Sequence, residues 1–465
     1  MASLLFVFLV SLLAVATAIP SSLHERSFRP KFDVQKNAIQ KRSFKAPVPG
    51  RAHQGALNEI LRVHNKYEWT IVVAESEPLY PISVTTSHPV ATASTIPTFK
   101  TLTTLSPVPS NSPPTYGPYP NSTSSASPTP TKGSEDGEVS AIPEENEIQY
   151  LASVSIGGQK VWLNFDTGSS DLWVFSSKLS PNAIGNHSFY DPSKSDTFTP
   201  YENASWRISY GDGSSASGIV GYDVVDVGGS TVQKQAVELA TYISASFATD
   251  PNSDGLLGLG FSNINTVQPE RQKTFFENVM PDLSEPLFTA DLEDNMGAGE
   301  YEFGKIDRAK YKGDIHYVDI DSSEGWWQFP IPSISIGDEY TFTCDQDCPK
   351  TIADTGSSLI YLDSEVVTAY YKQVDGASIW QMNTYIYPCD TALPDLSLQI
   401  GDYNMTIKGE DITYLQFDGN EGPAGHCLGG LQGKSSPQIL GDVFLKQVFA
   451  VFDGGNQRFG IAEKN

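Results

Sequence analysis

Short hydrophobic runs recur through the last two-thirds of the chain, separated by breaks that are rich in Gly, Asp and Asn. The clearest runs are residues 150–156, 161–165, 206–210, 219–227 and 448–452. Runs of this kind at a spacing of about 8–12 residues are typical of strands in all-β domains. Helical spacing is notable in two segments of this region, residues 272–279 and 364–371. The pattern therefore predicts an all-β fold with few helices.

The first 75 residues follow a different pattern. Residues 4–15 form a short apolar run, which ends in Ala16-Thr17-Ala18, a small-x-small sequence suited to signal peptidase. We therefore predict that residues 1–18 are a secretory signal. Residues 19–75 mix basic residues with periodic apolar ones, and the spacing over 56–63 predicts a helix.

Residues 76–136 change character again and are crowded with Pro, Ser and Thr for most of their length. A segment with so few hydrophobic residues cannot bury a core, and its prolines favour extended conformations. We predict a linker that carries O-linked glycans. Four Asn-x-Ser/Thr sequences, at Asn121, Asn186, Asn203 and Asn404, are candidate N-glycosylation sites.

Charge is divided unevenly along the chain. Residues 1–132 hold 12 of the 30 basic and 6 of the 55 acidic residues, which leaves 18 basic and 49 acidic residues for the remainder. A positive first part and a strongly acidic second part predict an electrostatic association between them. The acidic part also argues against nucleic-acid binding and suits low pH, where protonation reduces self-repulsion. Simple solubility is compatible with the same charges.

All four cysteines, Cys344, Cys348, Cys389 and Cys427, lie in the last third of the chain. An even number in an exported protein predicts two disulfides. Four cysteines can pair in three ways. The pairing that joins neighbours in sequence is Cys344–Cys348 with Cys389–Cys427, and we favour it. A zinc site is the alternative, but no histidine pair lies near the Cys-x3-Cys sequence, and we expect neither a metal nor a cofactor.

The predicted signal indicates export, and no later stretch approaches the roughly 20 apolar residues that a membrane helix needs. Residues 459–465 also lack the hydrophobic tail of a lipid-anchor signal. We therefore expect a secreted monomer with no membrane attachment. Delivery to a vacuole is the alternative, against which stands the absence of a retention motif.

The strongest chemical signal is a sequence that occurs twice. An apolar run leads into Asp166-Thr167-Gly168-Ser169, and a second leads into Asp354-Thr355-Gly356-Ser357. Asp ends the run, Thr can bond across to its counterpart, and Gly permits a tight turn that exposes the carboxylate. One copy is a common turn composition, but two copies on matching predicted strands indicate a paired carboxylate site.

A second repeat accompanies the first. Each half contains two apolar residues followed by glycine, Leu256-Leu257-Gly258 and Ile439-Leu440-Gly441, at similar distances after its aspartate. A duplicated lobe explains this order. We place the two lobes at residues 137–313 and 314–465.

These repeated motifs resemble those of the pepsin-like aspartic proteases, most closely the secreted enzymes of filamentous fungi of the penicillopepsin and aspergillopepsin type. The resemblance covers roughly residues 137–465 and implies a bilobal all-β fold with one aspartate from each lobe in a central cleft. It implies a pepstatin-sensitive endopeptidase that hydrolyses protein and peptide substrates without a metal. It also implies that Asp166 is ionised and Asp354 protonated when substrate binds.

The resemblance also identifies a flap over the cleft. Ser209-Tyr210-Gly211-Asp212-Gly213-Ser214 has the composition of a hairpin tip, which taken alone is an ordinary surface hairpin. By resemblance, Tyr210 is the flap tyrosine, Trp173 its hydrogen-bond partner and Ser169 the hydroxyl beside Asp166. The acidic flap residue Asp212 implies acceptance of Lys before the cut, besides large apolar residues.

The same resemblance makes residues 19–75 a basic inhibitory propeptide of a self-activating zymogen. Lys66-Tyr67 follows the predicted helix, as in the precursors of the family, where such a pair lies over the two aspartates. A plain solvated lysine is the alternative. The linker departs from the fungal pattern, and we expect the mature chain to begin near Gly133, after Lys132.

Other functions fit less well. A pepsin-like binding protein without catalysis would show damage at an aspartate, at the flap tyrosine or at the adjoining hydroxyls, and this chain shows none. A carbohydrate-active protein would not need duplicated Asp-Thr-Gly turns. Serine or cysteine protease chemistry lacks a convincing histidine. The adjacent Trp326 and Trp327 are expected in the core or the cleft wall.

Overall fold

The computed structural model describes residues 135–210, 214–345, 348–419, 422–434 and 437–465. The predicted signal (residues 1–18), the segment 19–75 with its predicted helix, and the linker up to residue 134 lie outside these ranges. Among the described residues strands predominate, and the α-helices have four to eight residues each. The all-β prediction is confirmed.

The first half of the described chain contains eleven strands. They are β1 (Gly137–Pro143), β2 (Tyr150–Ile156), β3 (Gln159–Asp166), β4 (Leu172–Val174), β5 (Thr199–Ser209), β6 (Ser215–Val227), β7 (Ser230–Ile243), β8 (Gly255–Gly258), β9 (Leu287–Asp291), β10 (Gly299–Phe303) and β11 (Tyr311–Asp319).

The second half contains fifteen shorter strands. They are β12 (Gln328–Pro330), β13 (Ser333–Ile336), β14 (Tyr340–Thr343), β15 (Lys350–Ala353), β16 (Ile360–Asp363), β17 (Ser378–Ile379), β18 (Tyr385–Pro388), β19 (Leu396–Ile400), β20 (Tyr403–Ile407), β21 (Thr413–Gln416), β22 (His426–Gly429), β23 (Leu431–Lys434), β24 (Gln438–Leu440), β25 (Val448–Asp453) and β26 (Arg458–Lys464). The α-helices are α1 (Pro181–Ile184), α2 (Ala245–Thr249), α3 (Phe275–Val279), α4 (Ser364–Tyr371) and α5 (Asp442–Leu445).

One large sheet joins the two halves of the chain. Its thirteen strands follow the order β11-β26-β25-β9-β10-β1-β2-β3-β8-β4-β7-β6-β5. The last two strands of the chain, β25 and β26, thus pair with strands of the first half. The second lobe adds sheets in the orders β12-β15-β24-β16-β23, β14-β13-β19-β20 and β17-β18-β22-β21. The two β lobes therefore share a continuous layer of strands.

Alternating side chains bury one face of the long strands. In β5, Ala204 and Trp206 are buried whereas Ser205 and Arg207 are exposed, as the two-residue period of a strand requires. A large core runs through both lobes, and a second aromatic cluster around Trp173 and Trp206 lies beneath the β5–β6 hairpin. The hairpin that precedes the predicted flap tip therefore rests on packed aromatic rings.

The observed elements follow the predicted ones closely, with one informative difference. Strand β2 and helix α4 coincide with the predicted segments 150–156 and 364–371. The helix predicted over 272–279 begins three residues later, because Thr274 caps it: its side chain accepts from the Glu277 amide, while the Glu277 carboxylate accepts from the Thr274 amide. The expected lobe boundary at residues 313 and 314 falls inside β11.

The structure joins Cys344 to Cys348 and Cys389 to Cys427, the pairing that neighbours in sequence favour. The side chains of Asn186, Asn203 and Asn404 are exposed, as glycan attachment requires, whereas Asn121 lies outside the described residues. In the described part of the chain, no helix is long and apolar enough to cross a membrane.

Candidate active site

The first Asp-Thr-Gly turn begins where β3 ends. β3 pairs in parallel with β8, so Asp166 lies opposite Gly258. The Leu259 amide donates to the Asp166 carbonyl at 2.8 Å, and the Gly260 amide donates to Ser169 O at 2.8 Å. The apolar-apolar-Gly segment of the first lobe therefore holds the backbone of the turn that carries Asp166.

Two donors orient the Asp166 carboxylate. The Gly168 amide donates to Oδ1 at 2.9 Å, and the Ser169 hydroxyl donates to Oδ2 at 2.6 Å. Hydrogen bonds from a neutral donor to a carboxylate are short and strong when the acceptor is ionised. Each oxygen of Asp166 is thus fixed by a group within its own turn.

The second turn repeats these contacts. The Gly356 amide donates to Asp354 Oδ1 at 3.0 Å, and the Ser357 hydroxyl donates to Asp354 Oδ2 at 2.6 Å. β15 pairs in parallel with β24, and the Asp354 amide donates to Leu440 O at 3.0 Å. The duplicated sequence therefore produces a duplicated arrangement of atoms.

The two threonines tie the turns to each other. The Thr167 amide donates to Thr355 Oγ1 at 3.1 Å, and the Thr355 amide donates to Thr167 Oγ1 at 3.0 Å. Each hydroxyl also donates across the lobes, Thr167 to Ala353 O at 2.8 Å and Thr355 to Phe165 O at 2.7 Å. Four buried hydrogen bonds thus fix the two aspartate turns against each other.

Glycine is needed in these turns because the backbones are so close. A methyl group at Gly356 would overlap the Oδ1 atom of Asp166, and one at Gly441 would meet the Ser357 carbonyl. A Cβ at Gly258 would lie 2.6 Å from Ser170 Cα. Gly356 thus brings the second turn against the carboxylate of the first, and both aspartates are fully buried.

Of the predicted flap, the structure describes Ser209, Tyr210 and Ser214. The Trp173 indole N–H donates to the Tyr210 hydroxyl at 2.8 Å, and the Tyr210 amide donates to Ser214 O at 2.8 Å. The Phe247 ring meets both aromatic rings edge-on, at 4.9 Å from Trp173 and 5.5 Å from Tyr210. Tyr210 is therefore anchored on the first lobe, while Gly211 and Asp212 lie outside the described residues.

Two tryptophans hold the first turn from outside its lobe. The Trp326 indole N–H donates to Gly168 O at 3.2 Å, and the Trp327 indole N–H donates to Leu259 O at 2.9 Å. The sequence predicts that this pair lies in the core or the cleft wall, but it does not indicate the support of the Asp166 turn. The one sequence signal for this role is that the two tryptophans are consecutive and directly follow Gly325.

Tyr301, which no sequence motif indicates, is a buried residue of β10 whose ring lies 4.9 Å from that of Phe165. Burial, with added repulsion from the carboxylates of Asp442, Asp166 and Asp354, raises the pKa of the Tyr301 hydroxyl far above its ordinary value. Tyr301 is therefore neutral at every working pH and contributes a polar but uncharged group beside the aspartate turns.

A second pair of buried carboxyls, Asp171 and Glu238, lies close behind the first turn. Asp171 Oδ1 accepts from the Thr266 amide at 2.9 Å, and the Asn265 side-chain nitrogen donates to Glu238 Oε1 at 3.0 Å. Burial raises the pKa of both carboxyls, and the negative charge of Asp171 raises that of Glu238 further. Glu238 therefore keeps its proton at pH values where an ordinary glutamate is ionised.

Metal ligation has no candidate in the described ranges, where no three His, Cys, Asp or Glu side chains are grouped to hold an ion. The predicted inhibitory residues Lys66 and Tyr67 lie outside those ranges. The arrangement that the structure does describe is two buried carboxyl groups on turns that are bonded to each other, together with a hairpin whose Tyr210 is bonded to Trp173.

Comparison with known proteins agrees with this geometry. The sequence profile of the family described as eukaryotic aspartyl protease matches residues 149–464. Aspergillopepsin-1 of Aspergillus oryzae is 48% identical over 330 residues, 70% of this chain and 79% of the relative. Penicillopepsin-1 of Talaromyces stipitatus is 44% identical over 331 residues (70% and 81%), and the aspartic protease PEP3 of Coccidioides posadasii is 43% identical over 328 residues (69% and 74%).

Proposed function

Because the chain belongs to the eukaryotic aspartyl protease family and is an aspartic-type endopeptidase of the aspergillopepsin and penicillopepsin type, we propose that Asp166 and Asp354 together activate a water molecule for peptide hydrolysis. The observation that carries this proposal is the matched bonding of the two carboxylates, each to the glycine amide and the serine hydroxyl of its own turn. Two equivalent carboxyls held close together can hold one proton between them.

The reaction then needs no covalent intermediate. Asp166, ionised, takes a proton from the water as its oxygen attacks the scissile carbonyl carbon, while Asp354 donates its proton to the carbonyl oxygen. In the tetrahedral diol that results, Asp166 carries the proton and Asp354 is ionised. Asp166 next protonates the amide nitrogen, Asp354 removes a proton from one hydroxyl, and the carbon–nitrogen bond breaks. Both carboxyls return to their starting states.

The anchored Tyr210 supports a closing flap. The hydrogen bond from Trp173 holds the tyrosine over the first lobe, and the flap tip between residues 210 and 214 would close on substrate and exclude water. Asp212 lies at this tip in sequence. We propose that its carboxylate binds Lys before the cut, whereas large apolar side chains occupy the same pocket by burial.

Secretion as a zymogen completes the proposal. Residues 1–18 would direct export, residues 19–75 would inhibit the cleft through Lys66 and Tyr67, and residues 76–136 would form a glycosylated linker. An ammonium group between two carboxylates pairs well near neutral pH and weakens as they protonate, which favours activation in acid. Cleavage after Lys132 would start the mature chain near Gly133, where β1 of the catalytic body is about to begin.

Cleavage of a denatured protein by acid-treated precursor at about pH 3–4, with and without pepstatin, tests the proposed chemistry. We expect hydrolysis that pepstatin abolishes. Sequencing the N-terminus of the activated protein tests the maturation separately: a terminus near residue 133 is expected, and retention of residues 70–120 would contradict it.

A further inference from the structure

A cavity of about 430 Å³ lies beside the strand that enters the flap. One wall is formed by β5 residues, and the opposite wall by the segment that follows β8. The lining residues are Ser205, Trp206, Arg207, Ile264, Asn265, Thr266, Gln268 and Arg271. The cavity is therefore framed by two segments that both lead to the proposed catalytic machinery.

Both walls are connected to the site, one by a hydrogen bond and the other through the chain. The Asn265 side-chain nitrogen donates to Ser170 O at 3.1 Å, next to the turn that carries Asp166. Arg207 precedes Tyr210 by three residues of extended chain, about 10 Å at the rise of a strand. The cavity thus lies next to the segments that lead to Tyr210 and to the Asp166 turn, where the outer residues of an extended substrate can reach it.

Two basic side chains line this cavity. Arg207 and Arg271 are both exposed, and neither forms an ion pair or a side-chain hydrogen bond with any residue that the structure describes. Residues 133–465 hold 49 acidic and only 18 basic residues, so carboxylate partners are abundant. Arg207 and Arg271 line one cavity without a carboxylate partner among the described residues. They are therefore available to bind an anion.

The backbone of β5 offers further hydrogen bonds. β5 is the outermost strand of its sheet, and on its open side Ser205 exchanges two backbone hydrogen bonds with Gln268, at 3.0 and 2.8 Å. The antiparallel pattern directs the N–H and C=O of Arg207, two residues on, to the same open side. No described residue bonds to them, so an extended peptide can add there.

The positive charge continues beyond this cavity. A neighbouring cavity of about 340 Å³ shares Arg271 and is also lined by Lys234 and Lys273. Glu270 is the acidic residue in its lining. An extended anionic segment would therefore meet basic side chains along both cavities.

We propose that the cavity beside β5 is a substrate subsite that selects Asp or Glu at a position outside the two residues that flank the cleaved bond. The substrate backbone would add to the open edge of β5 at Arg207, and its carboxylate would bind Arg207 and Arg271. This inference rests on the proposed function, because it assigns a substrate preference to the same cleft.

The test uses the acid-activated enzyme, prepared from the full-length precursor. Its substrates are pairs of peptides about ten residues long. Glu is moved one position at a time along one member of each pair, and Gln replaces it in the other. At one outer position the Glu peptide should have a kcat/KM about three to five times that of its Gln partner at pH 5.5, the size expected for a partly exposed ion pair. A flat scan would overturn the subsite.

The pH dependence of that ratio gives a sharper readout. The side chain of a substrate Glu ionises around pH 4.3, whereas arginine stays charged, so the ratio should rise between about pH 3.5 and 5.5. Glu270, next to Arg271 in the sequence, is the acidic residue in the lining of the neighbouring cavity. Asp171 and Glu238, the carboxyls that accept from Thr266 and Asn265 of this wall, are both buried. A ratio that falls with pH would contradict the proposal.

Variants separate local binding from overall charge. Arg207→Gln with Arg271→Gln should bring the Glu-to-Gln ratio to about one, and the two Arg→Lys changes should restore part of it. Lys178→Gln with Lys372→Gln removes two exposed charges elsewhere and should leave the ratio unchanged. A preference that survives the arginine changes would overturn the assignment. If no peptide is cleaved, the proposed function itself fails, whereas cleavage without preference refutes only the subsite.

Discussion

Thr167 and Thr355 exchange hydrogen bonds between the lobes, each amide donating to the hydroxyl oxygen of the other residue at 3.1 and 3.0 Å. Both residues are fully buried. The bonds connect the two aspartate turns directly, so that the relative position of the two carboxylates does not depend on flexible side chains alone. Precise placement of this kind is what catalysis by positioned groups requires.

Replacing Thr355 by Val should therefore weaken both the fold and the reaction. The change preserves shape but leaves the Thr167 amide and the Phe165 carbonyl without their partner, at about 1–3 kcal/mol for each buried group. The temperature of thermal unfolding and the kcat/KM of the Val variant should both fall. Thr355→Ser keeps the hydroxyl and should retain most of the stability and most of the activity. A Val variant as stable and active as the Ser variant would contradict this role.

Trp173 and Tyr210 should act as one unit in catalysis, through the hydrogen bond between them. Tyr210→Phe and Trp173→Phe each remove the bond, and we expect each to lower kcat/KM by about tenfold. The double variant should be little worse than either single variant, because the same interaction is lost in each. Effects that multiply in the double variant would show that the two residues act independently.

The Asp171–Glu238 pair should make the first lobe less stable as pH rises. Both carboxyls have a raised pKa in the folded state, mainly through burial. The folded state therefore holds protons that the unfolded state releases above the ordinary Glu pKa of about 4.5, and the free energy of unfolding falls as pH rises through the raised pKa.

Glu238→Gln removes that titration while keeping the shape of the side chain. The variant should gain about 1–3 kcal/mol over the wild type at pH 6.5 but little at pH 4, as measured by thermal unfolding in an inactive background. Glu202→Gln, on the exposed face of β5, serves as the control. Equal effects of Glu238→Gln at both pH values would refute the raised pKa of Glu238.

Asp212→Thr should reduce cleavage after Lys selectively, because only a lysine side chain gains from a carboxylate at the flap tip. Competing peptides that differ only in Lys, Phe or Leu before the cut measure the effect directly. We expect kcat/KM for the Lys peptide to fall about tenfold, with the other two little changed. Equal losses on all three peptides would assign Asp212 to the movement of the flap.

The sequence was most informative where chemistry and local structure coincide. The Asp-Thr-Gly repeats place Asp166 and Asp354 at the ends of strands, and short-range geometry then determines the contacts of each carboxylate with its own turn. The spacing of the hydrophobic runs likewise predicts β2, because the side chains of a half-buried strand point alternately to its two faces. These features are encoded within a few residues of each other.

Contacts between distant segments were not predictable in the same way. The Trp326 bond to Gly168 spans 158 residues, and the Asp171–Glu238 pair joins a turn to a strand far along the chain. Nothing in the local sequence of Glu238 distinguishes it from a solvated glutamate on an edge strand. Only the packing of β7 against β4 places it in the core.

The most direct test of the central claim is to replace each aspartate of the dyad separately. Asp166→Asn, Asp354→Asn and the double variant should each lose at least about a thousandfold in kcat, with the double variant no worse than the single ones, because the two carboxyls act as one unit. Asp319→Asn, an exposed aspartate of β11, should keep full activity. Substantial pepstatin-sensitive hydrolysis by a folded, correctly processed Asp166→Asn or Asp354→Asn variant would contradict the account.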